Sequence, residues 1–192
     1  EDEMARVLPV IEAVAGAKSV PISIDTYKAV TARAALKAGA KIVNDVWGLQ
    51  REPGIAAVAA EFGVPVIAMH NRAEVDATLD IVDEMKAFFD RTLGIARAAG
   101  IPDDRIVLDP GIGFGKSFEQ NLEALRRLPE LKALGFPLLV GPSRKSLIGK
   151  LLDKTPRERI NGTIASNVLA IAGGADIIRV HDVLAHREAA RI

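Results

Sequence analysis

The chain contains no cysteine, which excludes disulfides and thiolate metal sites and gives no sign of secretion. Aromatic residues are scarce at 4%, so the core has to be built from Ala, Val, Ile and Leu. No apolar run is long enough to span a bilayer, and the opening residues carry no signal-peptide pattern. Net charge is absent too, with 25 Lys+Arg against 25 Asp+Glu, so the basic excess that nucleic-acid binding needs is missing. These absences lead us to expect a cytoplasmic protein with no membrane and no nucleic-acid partner.

What is present is aliphatic. Hydrophobic residues make up 49% of 192, enough for one domain with a true core, and we expect a single domain over residues 1–192. Charge is uneven: residues 1–96 hold 10 Lys+Arg against 14 Asp+Glu, and residues 97–192 hold 15 against 11. A modestly basic second half suits a phosphate site among the later elements.

Six β-branched runs follow one another: Ile22–Asp25, Ile42–Asp45, Val64–Met69, Ile106–Asp109, Leu138–Val140 and Ile177–Val180. Ala-rich helical segments separate them, such as Ala29 to Ala38 and Ile81 to Ala99, with stops at Gly39, Gly100 and Gly173-Gly174. Strand alternating with helix predicts βαβ units and a parallel sheet. Glu1 to Val14 reads as an amphipathic helix and Asp182 to Ile192 as a final one. Six strands fit either an open doubly wound sheet or a (β/α)8 barrel without its N-terminal βα units, and periodicity alone does not choose.

The strand ends carry the chemistry. Asp25, Asn44-Asp45, His70 and Asp109 follow the first four strands, Ser143-Arg144-Lys145 the fifth, and Arg179 and His181 belong to the last. In parallel α/β folds all these C-terminal ends face one mouth, where ligands bind. Taken singly, an Asp can cap a helix and a His can be structural. The stretch Asp109-Pro-Gly-Ile-Gly-Phe-Gly-Lys-Ser117 fails the P-loop pattern because Pro110 stands where the first Gly belongs. It fails the dinucleotide fingerprint because Lys116 replaces the third Gly. It is left as a close-approach turn with Phe114 as a stacking surface. Gly141-Pro-Ser-Arg-Lys-Ser146 enters a helix start, where free N–H groups favour anions. With Arg179 and His181 alternating on the last strand it could grip a diphosphate.

Ile24-Asp-Thr26, Val43-Asn-Asp45, Ala68-Met-His70, Leu108-Asp-Pro-Gly-Ile-Gly-Phe-Gly-Lys116, Gly141-Pro-Ser-Arg-Lys-Ser146, Asn161-Gly-Thr163 and Arg179-Val-His-Asp182 resemble, in order and spacing, the signatures of the bacterial dihydropteroate synthase family. The resemblance implies a (β/α)8 TIM barrel, here with about six strands. It also implies a homodimeric transferase of folate biosynthesis that joins p-aminobenzoate to 6-hydroxymethyl-7,8-dihydropterin diphosphate with Mg2+ assisting. In that family pyrophosphate is thought to depart first, leaving a pterin methylene cation that the aniline nitrogen attacks.

Carried over by motif, Asp25, Asn44, Asp109 and Lys145 resemble pterin-binding residues, with Met69, Phe114 and Gly141 as apolar walls. Arg179 and His181 resemble a diphosphate clamp that with Lys145 forms the catalytic set. Arg144, Lys145 and Ser146 resemble the p-aminobenzoate site. No metal ligand is expected within this segment. The family's N-terminal strands and mobile loops do not precede Glu1, so little activity is expected of the segment alone. The rival readings are a non-catalytic pterin-binding relative and a methyltransferase moving a methyl group from methyltetrahydrofolate to a corrinoid protein. The second has no use for a diphosphate clamp.

Overall fold

A computed structural model of the chain describes residues 2–17 and 20–192. Glu1, the first residue of the expected N-terminal helix, lies outside them, and the helix α1 is described over Asp2–Ala17. Then come β1 (Ser23–Asp25), α2 (Ala29–Lys37), β2 (Ile42–Asp45), α3 (Gly54–Phe62), β3 (Val66–Met69), α4 (Ile81–Ala98) and β4 (Ile106–Asp109). The chain continues through α5 (Phe118–Arg126), α6 (Leu128–Lys132), β5 (Leu139–Val140), α7 (Ser146–Leu152), α8 (Ile160–Ala172), β6 (Ile177–Ile178) and α9 (Val183–Ala189). Strand and helix alternate as the aliphatic runs predict, and β1 to β4 lie in sequence order in one sheet. The described residues fall into two compact units.

The first unit comprises the chain up to Met69 together with Phe89–Val107. Its strands are parallel, with Ser23, Ile24 and Asp25 opposite Ile42, Val43 and Asn44. Val43, Asn44 and Asp45 in turn face Val66, Ile67 and Ala68. The third strand starts two residues later than its apolar run because Pro65 has no N–H to give, although its carbonyl accepts from Val43 N–H at 3.0 Å. Ile24, Val43 and Val66 are buried with Ala32, Ala35, Ile55, Val58 and Phe89. Each large aliphatic chain removed from water in this way contributes about 1.5–3 kcal/mol. Helix α2 ends before Gly39, which adopts φ +118° and lies so close to Ala15 that a Cβ there would come within 2.8 Å of the Ala15 Cβ. Only glycine satisfies both the backbone angle and the approach of α1.

The second unit comprises His70–Phe88 and Leu108–Ile192. Leu108 bridges in parallel to Leu138, and β5 pairs in parallel with β6 through Leu139–Ile177 and Val140–Ile178. Leu108, Ile112, Leu128, Leu131, Leu138, Val140, Leu147 and Ile148 form its buried interior with Ile81, Val82 and Met85. The start of α5 is fixed by a capping box: Ser117 Oγ accepts from Gln120 N–H at 3.1 Å, and the Gln120 side chain accepts from Ser117 N–H at 3.0 Å. The last strand corrects the sequence expectation. Pairing stops at Ile178 rather than Val180, since the partner strand runs directly into Gly141-Pro142. One further bond, Arg179 N–H to Val140 O at 3.0 Å, ends the ladder.

Candidate active site

In the first unit the polar ends of β1 and β2 stand side by side. Asp25 pairs in register with Asn44, so both side chains leave the sheet on the same face. Asp25 is exposed, and Asn44 is 8% exposed. The neighbouring Asp45 points the other way and is fully buried, accepting from Trp47 N–H at 2.8 Å and Leu49 N–H at 2.9 Å. Burial pushes its carboxyl above the ordinary value, those two N–H groups pull it down, and Asp25 pushes it up again. It fixes the turn after β2, where Leu49 takes φ +65°. Met69 ends β3 and is buried.

In the second unit the loop after β4 is built around Asp109. Its carboxylate accepts from Gly111 N–H at 2.7 Å, and its carbonyl accepts from His70 N–H at 2.8 Å. Burial raises the Asp109 pKa, and the Gly111 bond and the charges of Lys145, Lys116 and Arg179 oppose that rise. Lys145 takes the N-cap position of α7 in extended conformation. Its ammonium donates to Ile112 O and lies 4.5 Å from the centre of the Phe114 ring. Burial lowers its pKa to about 8; Asp109 pushes it up and Arg179 down. The carboxylate, the ammonium and the ring therefore meet on one loop.

The Gly141–Ser146 turn is held from several sides. Gly141 is buried, and a Cβ there would lie 3.5 Å from the Arg179 Cβ. Ser143 Oγ accepts from His181 N–H at 3.2 Å and lies 2.9 Å from His181 Nδ1. Arg144, at φ +57°, donates its N–H to Thr163 Oγ1 at 3.2 Å and grips Asp182 with its side chain. Arg159 donates to the carbonyls of Arg144 at 2.8 Å and Lys145 at 3.2 Å. Ser146 is exposed at the start of α7.

Asp109, Phe114, Gly141, Lys145 and Arg179 are thus brought together within the second unit, with Ser143, Arg144, Ser146 and His181 on or beside the same turn. Asp25, Asn44 and Met69 are strand ends of the first unit. Arg179 was expected inside an apolar strand; it is exposed and lies past the last paired residue, and His181 is also exposed. Lys116, Arg159, Thr163 and Asp182 escaped the reading of individual residues as participants in the site. The signatures Asn161-Gly-Thr163, Leu108–Lys116 and Arg179–Asp182 contain Thr163, Lys116 and Asp182 without giving them a role, and Arg159 lies in none of them. Among the described residues no three His, Asp or Glu side chains gather as a metal-binding group, and no helix is long and apolar enough to cross a membrane.

The chain matches the family described as pterin binding enzyme over residues 1–181. It is 50% identical over 199 residues to the dihydropteroate synthase of a Synechocystis strain, an alignment covering 100% of this chain and 69% of that protein. A dihydropteroate synthase from Clostridium difficile, crystallised in the presence of pteroic acid, superposes with TM-score 0.96 at 50% identity over 98% of this chain and 72% of that one. The dihydropteroate synthase of Thermus thermophilus in complex with 6HMPPP gives TM-score 0.92 at 48% identity over 98% of this chain and 75% of its own.

Proposed function

The chain belongs to the pterin binding enzymes, among the dihydropteroate synthases, and from that premise we propose how its residues divide the work of the reaction. Its fold class is α/β, six parallel strands of a (β/α)8 barrel. It is a transferase that condenses 6-hydroxymethyl-7,8-dihydropterin diphosphate with p-aminobenzoate. The bond from the pterin methylene to the diphosphate oxygen breaks, and a bond from that carbon to the aniline nitrogen forms. The nitrogen then loses a proton, and pyrophosphate and dihydropteroate leave.

The observation that carries the assignment of roles is the Lys145 ammonium, part-buried, over the Phe114 ring and in the field of Asp109. A flat heterocycle with a carbonyl and a row of N–H groups matches that combination of cation, ring face and carboxylate. Within the second unit Lys145 and Asp109 hold the pterin, with Phe114 and Gly141 as apolar walls; Asp25, Asn44 and Met69 of the first unit are assigned to pterin binding by their match to the family's motifs. Arg179 and His181, the latter oriented by Ser143, take the diphosphate and stabilise the charge that builds on the leaving oxygen. Arg144, Lys145 and Ser146 serve p-aminobenzoate, although Arg144 is already committed to Asp182 by two hydrogen bonds. No strong general base is required, because the departure of pyrophosphate comes first and the nucleophile is held close.

Mg2+ stays with this proposal as the family's assisting ion. The described residues do not form a cage for it, and Mg2+ commonly binds through one or two carboxylates plus substrate phosphates. No step of the reaction is routed through it. A homodimer and a cytoplasmic location belong to the same reading; sedimentation equilibrium and cell fractionation check them. The activity is tested by titrating the protein with the pterin diphosphate and with methyltetrahydrofolate, and by following pyrophosphate release with p-aminobenzoate present. Preference for methyltetrahydrofolate, or release independent of p-aminobenzoate, overturns the assignment.

A further inference from the structure

One buried cation has no part in the reaction as described. Lys116 is 8% exposed in the loop between β4 and α5. Its Nζ lies 2.9 Å from Gly111 O, 2.9 Å from Phe114 O and 2.8 Å from His70 Nδ1. An ammonium has three donors and no acceptor, so these three acceptors account for all of them. His70 is fully buried. While Lys116 is an ammonium it can only donate, so Nδ1 accepts from it and the proton of a neutral His70 ring sits on Nε2, facing the Glu84 carboxylate in the first turn of α4. Phe88, one turn further along α4, meets the imidazole edge-on at 4.9 Å. The donor and acceptor pattern therefore assigns an ammonium, a neutral imidazole and a carboxylate in sequence.

The loop that Lys116 staples also positions the candidate active site. Gly111 gives its N–H to Asp109, Ile112 O receives Lys145, and the Phe114 ring lies against the Lys145 ammonium. A shift of residues 111–114 would break the Gly111 N–H bond to the Asp109 carboxylate and the contacts of Ile112 O and the Phe114 ring with the Lys145 ammonium. We propose that Lys116, backed by His70 and Glu84, is a positioning residue for the synthase reaction, holding the Gly111–Phe114 loop so that Asp109 and Lys145 meet the pterin. This inference rests on the synthase reading for its kinetic consequence, but not for the network itself.

The energetics favour such a role over packing. Burying an ammonium carries a desolvation penalty that an apolar side chain of similar length would avoid. Burial accordingly draws the Lys116 pKa down to about 7, with Asp109 and Glu84 pushing it up and Lys145 and Arg72 pushing it down. An apolar chain could fill the volume but could not tie two carbonyls and a ring nitrogen at once.

Two measurements on the full chain test the proposal. Below pH 7, where Lys116 keeps its proton, nitrogen NMR of His70 should report the Nε2–H tautomer with an accepting Nδ1, and Lys116→Met should remove the hydrogen bond at Nδ1. A protonated Nδ1 in the unsubstituted protein overturns the network. In steady-state turnover Lys116→Met should raise the KM for the pterin diphosphate by about tenfold or more, the scale expected when a site is loosened by less than an ångström. The KM for p-aminobenzoate should change far less. Glu84→Gln should move the pterin KM in the same direction by a smaller factor. It decides the question if Lys116→Met does not fold. Unchanged pterin KM in the folded variants overturns the positioning role. Preference of the unsubstituted protein for methyltetrahydrofolate over the pterin diphosphate instead overturns the synthase reading, and the NMR result then still decides the network.

Discussion

Arg144 and Asp182 form a two-point ion pair, Nε to Oδ2 at 3.1 Å and Nη2 to Oδ1 at 2.6 Å. The Ser143–His181 contact is the next link in chain order, so the turn after β5 and the segment after β6 are laced together at two successive positions. Asp182→Asn cuts one link. The kcat/KM for the pterin diphosphate is expected to fall roughly threefold to tenfold, because the segment that carries His181 loses one of its two ties to the turn after β5. If Asp182 instead restrains Arg144 from p-aminobenzoate, the variant lowers the KM for that substrate; steady-state kinetics with each substrate varied in turn separates the two. The Asp182 carboxyl is held below its ordinary value by Arg144. Its contribution to stability is therefore complete at neutral pH and is lost only as pH falls below the usual carboxylate range.

Lys145 gives the reaction a basic limb. Its pKa of about 8 means that raising the pH through that value removes the ammonium facing Asp109 and Phe114. We expect kcat/KM for the pterin diphosphate to fall with a midpoint near 8. Lys145→Met should lose the component centred near 8, keeping only what Lys116 contributes near 7, and lose about a hundredfold in kcat/KM at neutral pH. A pH–rate profile of both proteins checks this, and an unchanged limb in the variant refutes the assignment to Lys145.

Lys116 has the opposite sign in stability. Its pKa is lowered from the unfolded value near 10.5 to about 7, so between those values the unfolded chain holds a proton that the folded chain has released. Stability contributed by this group therefore rises with pH across that window and is flat below it. Urea unfolding of the unsubstituted protein and Lys116→Met at pH 6, 7, 8, 9 and 10 should show the unsubstituted protein gaining on the variant only above about 7. A constant difference across the series contradicts the lowered pKa.

Much of this architecture was legible beforehand, and the exceptions share a cause. Aliphatic runs located all six strands to within two residues at either end, because burial on both faces of a parallel strand writes itself into composition. The polar residues at those strand ends were equally visible, since an apolar core rejects them. Lys116 was not, because its partner His70 lies 46 residues away and no local pattern encodes the meeting. The bonds of Arg159 to two carbonyls of the Gly141–Ser146 turn, and the pairing of Asp182 with Arg144, were hidden in the same way. The overlong last strand has a different origin. Residue type marks Ile177–Val180 as strand-forming, but pairing ends where the partner reaches Gly141-Pro142.

Two glycines of the loop after β4 allow stability and binding to be told apart. Gly115 has φ +55°, and a Cβ there would lie 2.5 Å from Arg72 O and 2.7 Å from Arg72 N and Cβ. Those atoms are mostly backbone and cannot step aside, and the left-handed angle itself costs an alanine about 1 kcal/mol. Gly115→Ala should therefore lose roughly 3 kcal/mol in denaturant unfolding. Gly113 has φ +85°, but its Cβ would meet the Lys145 side chain, nearest at Cδ 3.0 Å away, which can swing aside. Gly113→Ala should lose the cost of the backbone angle and little more, while displacing the ammonium from Phe114 and Ile112. We expect its pterin affinity to fall by about tenfold or more at a stability well above that of Gly115→Ala. Paired denaturation curves and pterin titrations of the two variants check this, and equal affinity in Gly113→Ala and the unsubstituted protein would show that the position of Lys145 does not govern pterin binding.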